Sequence, residues 1–600
     1  MAAAKSRKNL IAARLRPYLA PVLLEATGRA VNQRLLDEIV REAETIVSRS
    51  SDRIVRKLVE STSMGATAGL RLHALVYSES RAPAWYIGQE HDNVTHELVV
   101  VAARGGNALI CASDGAARDR IVKNLTSAKP LPPAALSGFV GTEAAAIWLN
   151  GVHTPTAVKA NTKFLTGVSL EYALDPLGDQ TYRCSAIRSH PDIPGLKDDR
   201  ARSLMVGAAP DGARVWIGRP ADWQVFAGQL GAILDHALAR KPAADVYGFL
   251  AQPIDDTSVV KDPYAIAIVP GELLSEDAID EQRREEARRW AYDARFEIVG
   301  KDGLSLEIDP YLNGVRLGRV RLGVTFDHAI ARLSARWTDE PSGAEKERSD
   351  CDAMLTDCGK VKIYYDSGHT VMQSRCYTAG FTDQPFGWTF ESMKGFDIDR
   401  EKPDFSKSNP LAKVIGLKTD TSLFGFVTRK LFPKGWLACD DGSMELADFI
   451  HVDTDKAVVT LVHVKASQTK KPDRTVSVAD YEIVVSQAVK NVRHLDRRNL
   501  ETELRNGRAK KIGAAVWKDG KRQANRDGFL AAVKALPPTA TKVAMVLQPR
   551  LTSTELAACA NPNASKVRRM RMKQLNALML SARLSTMACG AELRAVAEQL

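Results

Sequence analysis

The stretch Trp436-Leu-Ala-Cys-Asp-Asp-Gly-Ser-Met-Glu-Leu-Ala-Asp-Phe-Ile-His-Val-Asp-Thr-Asp-Lys-Ala-Val-Val-Thr-Leu-Val-His-Val-Lys465 decides how the C-terminal third of the chain is read. Trp436–Cys439 reads as a strand and Asp440-Asp-Gly-Ser443 as a tight turn. Met444–Val452 reads as a second strand, Asp453-Thr-Asp455 as a second turn, and Ala457–Lys465 as a third strand. Upstream, Asp420 or Thr421 is placed to cap a helix through Leu431. Downstream, Ser477 is placed to cap a helix from about Val478 to Asp496, where Tyr481, Val484, Val485, Ala488, Val492 and Leu495 form one apolar stripe. The predicted order is helix, three-stranded antiparallel meander, helix.

Within that frame Asp448 falls on the second strand and His463-Val-Lys465 ends the third. Side chains two apart share a strand face, so His463 and Lys465 point the same way, toward a cation held by Asp448 on the neighbouring strand. An aspartate here followed by x-x-Lys resembles the PD-(D/E)XK core of restriction-endonuclease-like nucleases. The resemblance is firm over 420–500 and looser out to Leu600. It implies that Asp448 binds Mg2+ or Mn2+, that Lys465 positions or activates water, and that Gln487 on the following helix orients substrate. The chemistry agrees, because phosphodiester hydrolysis uses a hard divalent cation on carboxylates beside a lysine. The departure is His463, where the family has Asp or Glu. An imidazole binds metal but removes a negative charge, so the missing carboxylate is sought in Glu445, Asp441 or Glu482. Strict alternation puts Glu445 on the opposite face from Asp448 unless a bulge intervenes.

Charge placement points independently to a polyanion. Lys+Arg exceed Asp+Glu by 83 − 72 = 11 over 600 residues. Between Lys490 and Arg526 there are 12 basic residues against four acids, nearly the whole excess within one segment. Lys490, Arg493, Arg497, Arg498, Lys510 and Lys511, with Arg568 and Arg569 further on, are the expected phosphate contacts. DNA is the expected partner, and a non-catalytic nucleic-acid-binding subunit with a degenerate nuclease fold is the alternative. Asp441-Gly-Ser-Met-Glu-Leu-Ala-Asp-Phe-Ile450 and Leu461-Val-His-Val-Lys-Ala-Ser467 are similar to nuclease domains of bacterial antiviral systems. The nuclease-last layout is similar to that of effectors acting beside long prokaryotic Argonautes, which implies a separate sensor protein docking on the N-terminal regions.

The rest of the chain reads as a multidomain α/β protein. A helical segment is expected over 1–67, a mixed α/β domain over 68–250, a mixed α/β or β-rich domain over 251–400, and the nuclease-like α/β core over 411–600. The polar loop Glu401–Pro410 is the expected connection before that core. Apolar residues at 45 % and charged residues at 26 % exclude disordered and fibrous architectures for most of the chain. No window approaches ~18 uninterrupted apolar residues, so no membrane-spanning helix is expected. Eight cysteines without a CxxC pair suit a reduced, cytoplasmic protein. There is no GxxxxGK[ST], HExxH or GxSxG pattern to support another catalytic class.

Overall fold

In the computed structural model, the described residues exclude 1–13, 29–32, 49–54, 68–69, 82–90, 92, 153–161, 169, 171–172, 199, 240–246, 269–288, 328–329, 379–382, 443–444, 496 and 507–514. The protein combines helices with several sheets, a mixed α/β architecture. Its internal packing separates two units, 1–174 with 179–380, and 175–178 with 381–600.

The first unit holds two large cores. One draws on residues from Val22 to Leu250 and lies against a long antiparallel sheet. In that sheet Val55–Thr67, Leu70–Arg81, Asn93–Arg104, Asn107–Ala112 and Val22–Ala26 lie side by side. Arg104-Gly-Gly-Asn107, which reads from sequence as a hairpin turn, closes between its two strands, with Gly105 at φ +56° supplying the left-handed residue. The expected N-terminal helical segment is corrected: only Gln33–Ser48 is helical among the described residues before 68. Val22–Ala26 and Val55–Thr67 are strands, because pairing with Asn107–Ala112 and Leu70–Arg81 overrides their weak local preference. The second core draws on Val260 to Cys376 and underlies a sheet of Ala294–Asp302, Ser305–Leu312, Arg319–Asp327 and Ile330–Asp339. The run from Glu276 to Tyr292, which reads from sequence as a very polar helix, lies largely outside the described residues.

The second unit is a mixed sheet between two layers of helices. Its strands are β1 (Thr389–Glu391), β2 (Trp436–Cys439), β3 (Phe449–Asp453), β4 (Val458–Val464), β5 (Val516–Lys518), β6 (Lys521–Arg522), β7 (Thr541–Thr552) and β8 (Glu592–Glu598). Their order is β1-β8-β7-β4-β3-β2-β5-β6. β2, β3 and β4 form the expected antiparallel meander, and β4 then pairs parallel to β7, as β7 does to β8. β4 is apolar at nearly every position because both faces are covered. Val459 and Leu461 enter one core, and Val462 and Val464 enter the other. The turn between β3 and β4 is set by Asp453, whose carboxylate accepts from the Asp455 and Lys456 N–H groups.

The helices are α1 (Leu411–Val414), α2 (Leu423–Phe426), α3 (Ala479–Asn491), α4 (Arg497–Asn506), α5 (Asp527–Ala535), α6 (Ser553–Ala560) and α7 (Lys566–Ala588). α2 is capped by Ser422 rather than Asp420 or Thr421, and it widens into a π-turn over Val427–Leu431. α3 begins without the expected Ser477 side-chain cap, and Val492–Leu495 continue it as a 3-10 turn. The predicted stripe Tyr481, Val484, Val485, Ala488, Val492 and Leu495 is buried against the sheet. Burying each such side chain contributes roughly 1.5–3 kcal/mol before conformational entropy is subtracted.

Candidate metal centre

The second strand of the meander starts later than its sequence suggests. Asp440–Gly442 and Glu445–Asp448 close on one another instead. Asp440 Oδ2 accepts from the Leu446 N–H at 3.2 Å, and the Glu445 carboxylate accepts from the Gly442 N–H at 2.6 Å. The Asp440 N–H donates to the Asp448 carbonyl at 3.0 Å, and β3 begins only at Phe449. Carboxylate-to-backbone bonds have displaced ladder pairing here. Alternation therefore does not separate Glu445 from Asp448. Ligand oxygens of Asp441, Glu445 and Asp448 all lie within 4.8 Å of one another.

Asp448 is 3 % exposed. Its Oδ2 accepts from the Val464 N–H at 2.7 Å, which fixes the carboxylate at the end of β4. Among the described residues no other hydrogen bond or ion pair reaches it. Burial, reinforced by the charges of Glu445, Glu401 and Asp441, pushes its pKa well above the carboxylate range. Burial and Asp441 also raise Glu445, against the opposing Gly442 N–H. Such a site is short of positive charge. Three converging carboxylates are hard oxygen donors, so the residues present fit Mg2+ or Mn2+ better than a soft metal.

Two lysines and a fourth carboxylate border the cluster. Lys465 follows β4 by one residue, and its Nζ lies 3.0 Å from Glu401 Oε2. Lys402 Nζ lies 2.7 Å from Asp441 Oδ1 and 3.6 Å from Glu401 Oε1. Burial pulls the Lys402 ammonium down, but the hydrogen bond and charge of Asp441, with Glu401 and Asp448, hold it above its usual pKa. The segment bearing both residues is stitched to the core. Ser467 N–H donates to Ile398, Leu423 N–H to Arg400, and Phe424 N–H to Glu401. The sequence reading assigned Glu401 to a surface connection, so this is a correction. Its only sequence signal is a dense charge run, Asp399-Arg-Glu-Lys402, ahead of Pro403.

His463 does not join the cluster. Alternation sends it to the face of Val459 and Leu461, where it is 1 % exposed and its Nε2 has no hydrogen-bond partner. Burial, with the nearby Lys490 charge, lowers its pKa to about 4, so it is neutral near pH 7. Gln487 is half-buried on α3 and bonds to none of the carboxylates. One turn later the buried Asn491 side chain donates to the Glu445 carbonyl at 3.4 Å, a contact the sequence did not suggest. Glu482 is exposed on the same helix.

The expected phosphate contacts divide into three groups. Lys490 and Arg493 are exposed. Arg497 and Arg498 open α4, with side chains outside the described residues, as are Lys510 and Lys511 altogether. Arg568 instead turns onto the buried Glu555, its Nε 3.1 and 3.0 Å from the two carboxylate oxygens. Arg569 donates to the Pro562 carbonyl. Arg568 thus holds the start of α7 against α6, and Arg569 ties it to the loop between them. Compared with protein-family models, curated proteins and solved structures, the chain gives no match.

Proposed function

We propose that residues 381–600 form a divalent-metal-dependent nuclease domain of the PD-(D/E)XK type, acting on DNA. The observation that carries this reading is the buried Asp448 carboxylate, surplus in negative charge, converging with Asp441 and Glu445 where β3 begins and β4 ends. The order α2, β2-β3-β4, α3, β7, with β7 parallel to β4, supports it. So does the placement of Asp448 just before β3 and of Lys465 just after β4.

Asp441, Glu445 and Asp448 would hold Mg2+ or Mn2+. The ion supplies a Lewis acid and neutralises charge developing on the phosphate. Lys465 orients water and shares that charge, and Glu401 sets where its ammonium lies. Gln487 faces substrate, while Lys490 and Arg493 bind backbone phosphates without reading sequence. One feature favours the alternative, a non-catalytic nucleic-acid binder: His463 stands where a carboxylate is expected. Glu445 and Asp441 restore the negative charge that His463 lacks, which weighs for catalysis.

By the same resemblance, the protein would serve as an effector in cytoplasmic antiviral defence, with residues 1–380 binding a sensor such as a prokaryotic Argonaute. Among the described residues no helix is long and apolar enough to cross a membrane. The test is plasmid degradation in Mg2+ or Mn2+, with the sensor present. Wild type should cut, and Asp448→Ala and Lys465→Ala should not while remaining folded. Equal cutting by all three would overturn the assignment.

A further inference from the structure

We propose that Lys402 is a resident cation that the incoming divalent ion displaces, and that the exchange passes Glu401 from Lys465 to Lys402, freeing Lys465. This rests on the metal-centre reading above and concerns how that centre is switched on. Among the described residues, four carboxylates, those of Glu401, Asp441, Glu445 and Asp448, meet two ammonium groups, those of Lys402 and Lys465. Asp448 is the buried member, and among the described residues its carboxylate takes a hydrogen bond from a backbone N–H and no contact ion pair. The cluster therefore attracts a further cation, and Lys402 already sits on one of its ligands.

Lys402 Nζ is 2.7 Å from Asp441 Oδ1, and its side chain also lies over the Phe424 ring at 5.5 Å. Asp441 is itself about nine-tenths buried, at 10 % side-chain exposure, so water screens this pair poorly. A divalent ion sharing that carboxylate repels the ammonium at close range. The nearest acceptor to which Lys402 can move is Glu401, already 3.6 Å away. Glu401 is at present 3.0 Å from Lys465 through its other oxygen. Once Lys402 takes Glu401, the hold on Lys465 weakens, and its ammonium is available to a phosphate or a water. The backbone of 398–402 need not move, because its hydrogen bonds to Leu423, Phe424 and Ser467 are independent of these side chains. The switch is a rearrangement of side-chain ion pairs rather than a moving lid. In the metal-free protein, the lysine required for cleavage is held by a glutamate.

Two measurements on the full chain test it. Calorimetric titration with Mn2+ should give Lys402→Gln a dissociation constant lower than wild type by about tenfold or more, since a competing charge is removed. Lys402→Arg should stay close to wild type, which separates lost charge from lost fold. Acylation of Lys465, followed by mass spectrometry, should speed up in wild type when Mn2+ is added. In Glu401→Gln it should be fast without metal. Wild-type binding with no gain in Lys402→Gln overturns the exchange and leaves the metal centre standing. Tighter binding by Lys402→Gln with Lys465 labelling unchanged by Mn2+ also overturns it. No binding by either protein overturns both the exchange and the metal centre.

Discussion

Asp309 in the first unit and Asp448 in the second are both buried aspartates at 5 % and 3 % exposure, yet their surroundings are opposite. Asp309, on the strand Ser305–Leu312, is held by the guanidinium of Arg319 at 2.7 and 3.0 Å and by Arg316 at 2.9 Å. The Arg319 hydrogen bonds, with Arg316, outweigh burial and bring its pKa to about 2. Asp448 has one backbone N–H and three carboxylate neighbours, so burial and repulsion raise its pKa instead. Burial alone does not distinguish a structural carboxylate from a functional one. The sign of the surrounding charge does. A saturated aspartate holds strands together, and an unsaturated one is poised for a cation.

Exchanging one carboxylate oxygen for an amide nitrogen should act in opposite ways at the two aspartates. Asp448→Asn should lower metal-dependent cleavage by about a thousandfold or more, while metal-free stability holds or rises because repulsion is relieved. Comparable cleavage in the variant, or a collapse of its melting temperature, would contradict the contrast. The next effect concerns His463, a buried group with no partner for its charge. Its pKa drops from 6.5 to about 4, so its neutral form is favoured by folding. The unfolded chain then binds the proton more readily, and stability is lost as pH falls from 6.5 towards 4. His463→Leu should remove about 3 kcal/mol of that acid sensitivity, as denaturant melts at pH 7 and pH 4 would show.

Asp309→Asn should leave cleavage untouched and destabilise the first unit by about 2 kcal/mol, less than a fully buried pair because both arginines are partly exposed. The folded pKa of Asp309 is depressed, so its stabilisation is present above pH 4 and lost as pH falls through about 2. Melts of wild type and variant should converge in that window. The smallest effect is expected at the exposed Lys490 and Arg493. Alanine at either should weaken DNA binding severalfold for all sequences alike and reduce the salt slope by about one. A change confined to one DNA sequence would argue against phosphate contact.

Sequence pattern reaches the meander and the apolar stripe of α3, because each has a strong period or a clear breaker. It placed Asp441, Glu445 and Asp448 as candidates but could not bring Glu445 to Asp448. That convergence depends on side-chain bonds of Asp440 and Glu445 to the backbone, which override an alternating pattern. Glu401 and Lys402 were hidden for another reason. They stand far upstream in a polar stretch without a period, and tertiary contacts, among them hydrogen bonds to Leu423, Phe424 and Ser467, bring them to the cluster. His463 occupies a family-like position in sequence, yet strand alternation buries it in the core. The N-terminal strands were missed because long-range pairing, rather than local pattern, makes Val55–Thr67 extended.

Metal binding by the Asp448 cluster needs no trigger, sensor or substrate, whereas cleavage needs all three. Paramagnetic resonance of Mn2+ titrated into wild type and Asp448→Asn separates bound from free ion. Wild type should take up Mn2+ stoichiometrically, Mg2+ should compete for it, and Asp448→Asn should take up little. Equal uptake by the two proteins, or none by wild type, would contradict it.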